Sequence, residues 1–179
     1  KQIYATRRVV DAQELDNGVA TLHDYKLFKD IDKASALLVD ALKAQSHILI
    51  VGDFDADGAT STATLMQGLQ MFGFQNLDYL IPDRFSLGYG LSPALAEQIV
   101  QIKPDLVITV DNGISCIAGI DILKSVGIKV LVTDHHLQGE QLPNADAIVN
   151  PNRHECNFPS KSIAGVGVAF YLLIALRSL

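Results

Sequence analysis

The sequence contains no tryptophan, two cysteines and an aromatic content of only 7%. Cys116 and Cys156 form no CxxC pair, so the sequence predicts neither a disulfide framework nor a cysteine-rich zinc site. The longest apolar run, residues 163–176, spans 14 residues, fewer than the roughly 18–20 needed to cross a bilayer. We therefore expect no membrane attachment, a buried helix at this position and a core packed mainly by aliphatic side chains.

Positive charge is also scarce. The chain has 14 Lys and Arg against 20 Asp and Glu, a net charge of -6 and a pI near 5.2, which excludes a basic tail that coats nucleic acid. With 49% apolar and 19% charged residues among 179, the composition predicts one packed domain with a small appendage. No secretory leader precedes the first strand, so we expect a cytoplasmic location. A start at Lys1 and an end inside an apolar helix indicate a fragment.

From about residue 46, short β-branched runs alternate with helical patterns, which indicates repeated βαβ units. The predicted strands lack polar alternation, as in strands buried on both faces. We expect an α/β fold: a five-stranded parallel sheet with helices on both faces at 46–179, preceded by a helical lead-in at 1–45. The predicted strands are 47–52, 77–81, 105–110, 128–133 and 146–150, and the predicted helices are 58–73, 92–102, 115–126 and 164–177.

Acidic groups follow three of these strands: DFDADG at 53–58, DNG at 111–113 and DHH at 134–136. Ligands of open α/β sheets bind outside the carboxyl ends of the strands, so we expect the three clusters to share one crevice. Carboxylates crowded there repel one another unless a cation compensates them. Carboxylates suit Mg²⁺, Mn²⁺ or Ca²⁺, and an added imidazole favours Mn²⁺. Asp111, alone at its strand end, is placed to bridge two ions.

Each cluster also has a simpler interpretation. DFDADG resembles the start of an EF-hand loop, but Thr64 occupies the twelfth position and a strand precedes the segment, which argues against that site. DNG alone is an ordinary turn sequence, and a single histidine often caps a loop or bonds within a core. A dinucleotide-binding domain is excluded because no GxGxxG follows the first strand.

DFDADG, VTVDNG and TDHH, in this order on successive strands, resemble the DHH phosphoesterase superfamily. Further segments at 51–62, 84–93, 132–137 and 157–173 are similar to its single-strand-specific DNA exonucleases. The resemblance covers roughly residues 46–179. It implies a hydrolase that acts in DNA repair and recombination, an exodeoxyribonuclease that degrades single-stranded DNA from 5′ to 3′ and releases 5′-mononucleotides by two-metal phosphodiester hydrolysis.

The resemblance also assigns roles to residues. His136 is expected to face the scissile phosphate, and Asp134 to orient the histidines. Many superfamily members carry a histidine where this chain has Val51, so Asp53 is the expected substitute ligand. The implied ligands of two Mn²⁺ or Mg²⁺ ions are Asp53, Asp55, Asp57, Asp111 and His135.

Two further elements are candidates for binding substrate. Arg84 follows the second strand and is placed to clamp a phosphate, although pairing with Asp83 or solvent is equally compatible with its position. The SIAGVG segment, with Ser162, Gly165 and Gly167, opens the last helix, where free N–H groups attract phosphate. Close helix packing explains the same glycines equally well.

The family has a fourth metal-binding motif and a second lobe downstream of the last helix of this chain. The resemblance therefore implies that the chain alone binds metal weakly and has little nuclease activity. Its expected partner is single-stranded DNA, with a single-strand-binding protein and a helicase as further candidates. The alternatives are another DHH phosphodiesterase, acting on oligoribonucleotides, cyclic dinucleotides or pyrophosphate, and a non-catalytic DHH-like scaffold that binds DNA or partners.

The location of the acids accounts for the negative charge. Without the five aspartates of the three clusters, 14 bases face 15 acids, which is nearly neutral. Two divalent ions would bring the total from -6 to -2. The sequence thus places most of its excess negative charge in the candidate site.

Overall fold

A parallel sheet with the strand order β2-β1-β3-β4-β5 organises the chain. The computed structural model describes residues 2–7, 9–11, 15 and 18–179. Short 3-10 turns lie at Val19–Thr21 and Tyr25–Leu27. The helices and strands are α1 (Gln2–Thr6), α2 (Ile31–Lys43), β1 (Ile48–Val51), α3 (Ala56–Met71), β2 (Leu77–Leu80), α4 (Arg84–Leu87), α5 (Pro93–Ile102), β3 (Leu106–Val110), α6 (Ile117–Ser125), β4 (Lys129–Thr133), β5 (Ala147–Val149) and α7 (Gly165–Arg177).

The sheet confirms the fold predicted from the sequence. Its five strands lie within a residue or two of the predicted ones, and β1 and β3 are buried along their whole length. In the centre, Ile50 pairs with Tyr79 on one side and with Ile108 on the other. Because strands buried on both faces need no polar alternation, their continuous apolar runs were a reliable signal.

The two faces of the sheet carry separate apolar cores, because alternate strand residues point to opposite sides. Ile50 and Ile108 pack beneath α2, α3 and α7, whereas Val51 and Val107 pack with α5 and α6. Burying one such aliphatic side chain contributes about 1.5–3 kcal/mol. The two cores together fix the spacing of the strand ends, and the acidic clusters follow those ends.

Local signals set the helix ends. The Ser92 hydroxyl accepts the Leu95 N–H at 3.2 Å, and Pro93 is the first residue of α5. Gly73 and Gly127 adopt φ of +93° and +85° just after α3 and α6, a conformation that favours glycine. The prediction that α3 starts at residue 58 was two residues late, because the Asp55 carboxylate accepts the Gly58 N–H and starts the helix at Ala56.

The N-terminal part of the chain is described incompletely. Residues 1, 8, 12–14 and 16–17 of the predicted lead-in lie outside the described residues. Helix α2 contributes Ile31, Ala34 and Leu38 to the core under α7. The division of the chain at residue 46 stays a prediction. None of the described helices has the length and apolar character to span a membrane.

Candidate metal centre

The three acidic clusters lie at the carboxyl ends of β1, β3 and β4. These three strands are neighbours, in the order β1-β3-β4. Since parallel strands all end at the same edge of a sheet, Asp53, Asp111 and Asp134 lie along one edge, as the sequence predicted. The convergence places carboxylates and two imidazoles in one crevice.

The turn after β1 holds two aspartates through its own backbone. Asp53 is 3% exposed and its Oδ1 accepts the Phe54 N–H at 2.8 Å. Asp55, which is exposed, caps α3 by accepting the Gly58 N–H at 2.9 Å. A Cβ atom at Gly58 would lie 2.4 Å from the Asp53 carbonyl oxygen. The tight turn therefore requires glycine, and it fixes both carboxylates toward the crevice.

Asp57 is bound by the start of the last helix. Its Oδ2 accepts the Gly165 N–H at 2.7 Å, and its Oδ1 accepts the Val166 N–H at 2.9 Å. A helix N-terminus carries unpaired N–H groups and partial positive charge, both of which favour a carboxylate. Helix α7 thus orients Asp57 beside His135, whose Nε2 lies 3.6 Å from Asp57 Oδ2.

Asp111 occupies the centre of the cluster in an unusual conformation. Its φ is +60°, a region that few non-glycine residues adopt, and its N–H donates to the Thr133 carbonyl at 3.0 Å. The side chain is 2% exposed. Among the described residues its Oδ1 has no hydrogen-bond partner, although His135 Nε2 lies 3.0 Å away. A buried carboxylate oxygen of this kind is costly unless a cation binds it.

The electrostatics of Asp111 agree with that geometry. Burial, followed by the charges of Asp57 and Asp55, raises the pKa of Asp111 to about 7. The metal-free site therefore resists full ionisation at neutral pH. A bound cation would reverse this effect, because it stabilises the carboxylate form of each ligand.

The DHH segment is organised around Asp134, which is 1% exposed. Its Oδ1 accepts the N–H groups of His135 at 2.7 Å and His136 at 3.1 Å and contacts His136 Nδ1 at 2.7 Å. Its Oδ2 accepts the Ile114 N–H at 2.9 Å. The hydrogen bond to Asp134 raises the pKa of His136 to about 8. Because Nδ1 faces Asp134, Nε2 is the ring nitrogen left for other contacts.

The donor atoms meet the requirements of a divalent-cation centre. Within the described ranges of the chain they form two groups of three residues, and in each group one ligand atom per residue lies within 4.8 Å of the others. Asp111 belongs to both groups, whereas Asp57 belongs to neither. The bridging role of Asp111 stays a prediction. Oxygen donors with an imidazole suit Mn²⁺ and Mg²⁺. The groups are Asp53, Asp55 and Asp111, and Asp111, His135 and His136.

Four residues were predicted to bind substrate: Arg84, Ser162, Gly165 and Gly167. The side chain of Arg84 lies outside the described part of the structure, and Ser162 is exposed. Gly165 donates its N–H to Asp57, and Gly167 donates to the Ala164 carbonyl at 3.0 Å. Both amides are thus engaged within the chain. The roles of all four residues in substrate binding stay predictions.

Two further residues at the site were not singled out from the sequence. Tyr89 borders a cavity of about 620 Å³ next to His136, and its hydroxyl lies 3.4 Å from His136 Nε2. Burial and the nearby Asp53 raise the pKa of Tyr89. Asn112 joins two strand ends, because its Nδ2 donates to the carbonyls of Val51 at 3.1 Å and Val110 at 2.9 Å. Tyr89 lies in the segment 84–93 and Asn112 in the DNG motif, so these two motifs were the sequence signals that could have identified them.

Comparisons with known proteins give matches over most of the chain. The DHH family, N-terminal domain, matches residues 47–178. The chain is 51% identical over 178 residues to the single-stranded-DNA-specific exonuclease RecJ of Escherichia coli, an alignment that covers 99% of this chain and 31% of that protein. Bacillus subtilis RecJ is 41% identical over 157 residues, which are 88% of this chain and 20% of that protein. The chain thus spans about a third or less of these curated relatives.

Solved structures give the same result. The crystal structure of exonuclease RecJ bound to manganese matches with a TM-score of 0.76 and 37% identity, over 84% of this chain and 38% of that one. RecJ in complex with Mn²⁺ from Thermus thermophilus matches with a TM-score of 0.75 and 33% identity, over 98% of this chain and 24% of that one. Both of these similar structures contain manganese.

Proposed function

Because this chain belongs to the DHH family, we propose that it forms the metal-binding lobe of a single-strand-specific DNA exonuclease. The observation that carries the proposal is Asp111. It is a buried carboxylate whose Oδ1 has no hydrogen-bond partner among the described residues, and it belongs to both groups of candidate ligands. A non-catalytic scaffold would have no reason to keep an acidic group in such an unfavourable environment.

The proposed cofactors are two divalent ions, Mn²⁺ or Mg²⁺. RecJ of Thermus thermophilus has been crystallised in complex with Mn²⁺ and with Mg²⁺, which supports the assignment. When bound, such ions lower the pKa of water and neutralise charge on a phosphodiester. The residues proposed to hold them are Asp53, Asp55, Asp57, Asp111 and His135.

His136 is proposed to act on the phosphate. Its Nδ1 is paired with the buried Asp134, its side chain is 47% exposed, and its Nε2 lies beside the Tyr89 hydroxyl at the border of the cavity. In the metal-free chain, the hydrogen bond to Asp134 raises the pKa of this ring and favours its protonated form. The imidazolium can then donate from Nε2 to a phosphate oxygen and stabilise the negative charge that develops there. Asp134 fixes the ring orientation that this role requires.

The substrate is proposed to be single-stranded DNA, degraded from 5′ to 3′ to mononucleotides during DNA repair and recombination. The RecJ relatives, described as single-stranded-DNA-specific exonucleases, support the substrate class. We propose a cytoplasmic location, where bacteria keep their chromosome. A single-strand-binding protein and a helicase remain predicted partners.

A chimera tests this proposal without depending on the length of the chain. The matched segment of Escherichia coli RecJ is replaced by the 178 aligned residues of this chain. We expect the chimera to degrade a 5′-labelled single-stranded oligonucleotide in Mn²⁺, to release labelled mononucleotide first and to leave duplex DNA intact. The His136→Ala chimera should lose activity about a hundredfold or more, because a group that stabilises the reacting phosphate is removed.

The control is His154→Ala, since His154 is an exposed histidine outside the crevice. Oligoribonucleotides, cyclic dinucleotides and pyrophosphate serve as competing substrates. A folded chimera that prefers one of these, or that binds DNA without cleaving it, would overturn the proposal in favour of the corresponding alternative.

A further inference from the structure

The segment Asn150–Pro151–Asn152 follows β5 and contacts the DHH segment from behind. Asn150 is fully buried, and its Nδ2 donates to the His136 carbonyl at 3.0 Å. Its Oδ1 accepts the Asn152 N–H at 2.7 Å. The Asn150 side chain therefore links the His136 backbone to the turn that contains Asn152.

Asn152 makes a longer connection. Its Nδ2 donates to the His135 carbonyl at 2.6 Å and to the Lys161 carbonyl at 3.0 Å. The Lys161 ammonium donates in turn to the carbonyls of Pro151 at 2.6 Å and Cys156 at 2.9 Å, which closes the loop on itself. This loop leads directly into α7.

The connection reaches a candidate ligand on each side. On one side is His135. On the other, α7 begins at Gly165 and uses the Gly165 and Val166 N–H groups to hold Asp57. Asn152 thus links the backbone of one candidate ligand to the loop that positions another, across a gap of 3.6 Å between His135 Nε2 and Asp57 Oδ2.

These contacts exceed what an ordinary turn requires. An asparagine followed by proline commonly stabilises a turn by accepting the N–H two residues later, as Asn150 does for Asn152. Donation from both side-chain amides to the carbonyls of both histidines adds nothing to such a turn. It does, however, restrict the backbone from which the two imidazoles project.

We propose that Asn152 and Asn150 are positioning residues of the metal centre, with Asn152 setting the placement of His135 relative to Asp57. The inference deepens the proposed function and rests on its metal site. It predicts that Asn152 acts through His135, so its loss changes metal affinity and metal preference while the fold persists. Partners that orient metal ligands typically contribute about 10–100-fold to affinity.

The test measures metal binding by the purified chain. Free Mn²⁺ is followed by electron paramagnetic resonance during titration, and Mg²⁺ affinity is obtained by competition. We expect Asn152→Ala to weaken Mn²⁺ binding about tenfold and to weaken Mg²⁺ binding less, because imidazole contributes more to Mn²⁺ than to Mg²⁺. An equal loss for both ions, or unchanged Mn²⁺ affinity, would overturn the inference.

A double-mutant cycle with His135→Ala separates positioning from general stability. If Asn152 acts through His135, Asn152→Ala in the His135→Ala background should cause no further loss of Mn²⁺ affinity. Additive losses would contradict the proposal. If His135→Ala itself leaves Mn²⁺ affinity unchanged, the proposed metal site fails instead, so the two failures are distinguishable.

The matched control is Asn144→Ala, which changes an exposed asparagine in the loop before β5 and should bind Mn²⁺ as the unmodified chain does. Thermal unfolding checks that each variant is folded. If Asn152→Ala does not fold, Lys161→Met provides a second variant, because it removes the ammonium that closes the loop but keeps its apolar stem. It too should reduce Mn²⁺ affinity more than Mg²⁺ affinity, and an equal effect on both ions would refute the positioning role.

Discussion

Asp111 combines several features that lower the stability of the metal-free chain. It combines a left-handed backbone, near-complete burial, a carboxylate oxygen with no hydrogen-bond partner in the described part of the chain, and a pKa raised to about 7. Each of these features opposes folding of the metal-free chain. Their coincidence at a shared ligand position indicates a residue whose environment is arranged for a cation rather than for stability.

Replacing Asp111 should therefore have opposite effects on stability without and with metal. In chelator at pH 8, we expect Asp111→Asn to unfold at higher denaturant, with a gain of about 1–3 kcal/mol. The folded-state pKa lies above the unfolded one, so the advantage should shrink as the pH falls below about 7 toward 4. In saturating Mn²⁺ the unmodified chain should become the more stable form, because its Asp111 carboxylate binds the ion more strongly than an amide does.

Denaturant unfolding followed by circular dichroism measures both effects. Asp121→Asn, on the exposed face of α6, is the control and should change little in either condition. A destabilised Asp111→Asn protein in chelator at pH 8 would contradict this account of Asp111.

At the scale of elements, two helix starts face each other across the crevice. Asp55 caps α3, and Asp57, two residues further, binds the first amides of α7. The close approach of α7 leaves no space beside Asp111: a Cβ atom at Gly165 would lie 2.8 Å from Asp111 Oδ1. Gly165 therefore has a packing role at the site.

A methyl group at position 165 should displace the candidate metal ligands while leaving the fold intact. We expect Gly165→Ala to displace the Asp111 carboxylate and to lower Mn²⁺ affinity about tenfold or more, with little change in helix content by circular dichroism. Gly139→Ala is the matched control, because nothing lies within 4 Å of a Cβ there. Unchanged Mn²⁺ binding by Gly165→Ala would show that α7 tolerates a side chain beside Asp111.

Local patterns of the elements could be predicted from the sequence, whereas the contacts between distant elements could not. The apolar strands and the acids that follow them are local patterns, and they predicted the sheet and the edge at which the acids meet. The contact of Asp57 with Gly165 joins residues 108 positions apart, and Asn152 reaches the DHH segment across a separate turn. Such contacts depend on how helices and loops pack in three dimensions, which spacing along the chain does not encode.

At the scale of the whole molecule, charge limits what this lobe does alone. The net charge is -6, and five of the 20 acids belong to the crevice. Nucleic-acid affinity depends largely on cationic groups that neutralise phosphates. The remaining surface, with nearly equal numbers of acids and bases, offers little of this attraction.

We therefore expect the purified chain to bind single-stranded DNA weakly, and only with Mn²⁺ present. Fluorescence anisotropy with a phosphorothioate oligonucleotide, chosen to slow cleavage, measures this binding. The logarithm of the affinity should fall with the logarithm of salt with a slope smaller than about 2 in magnitude, since each neutralised phosphate contributes about 0.7. Tight, steeply salt-dependent binding in chelator would instead indicate a basic DNA-binding surface on this lobe.

The strand order β2-β1-β3-β4-β5 has a consequence for how the lobe matures during synthesis. Polypeptides emerge N-terminus first, so Asp53, Asp55 and Asp57 leave the ribosome well before His135, and the amides of α7 follow later still. The complete set of donors exists only after β4 has joined β3 and α7 has docked. Metal binding therefore stabilises the assembled lobe as a whole, because no part of the chain holds the complete set of donors before it folds.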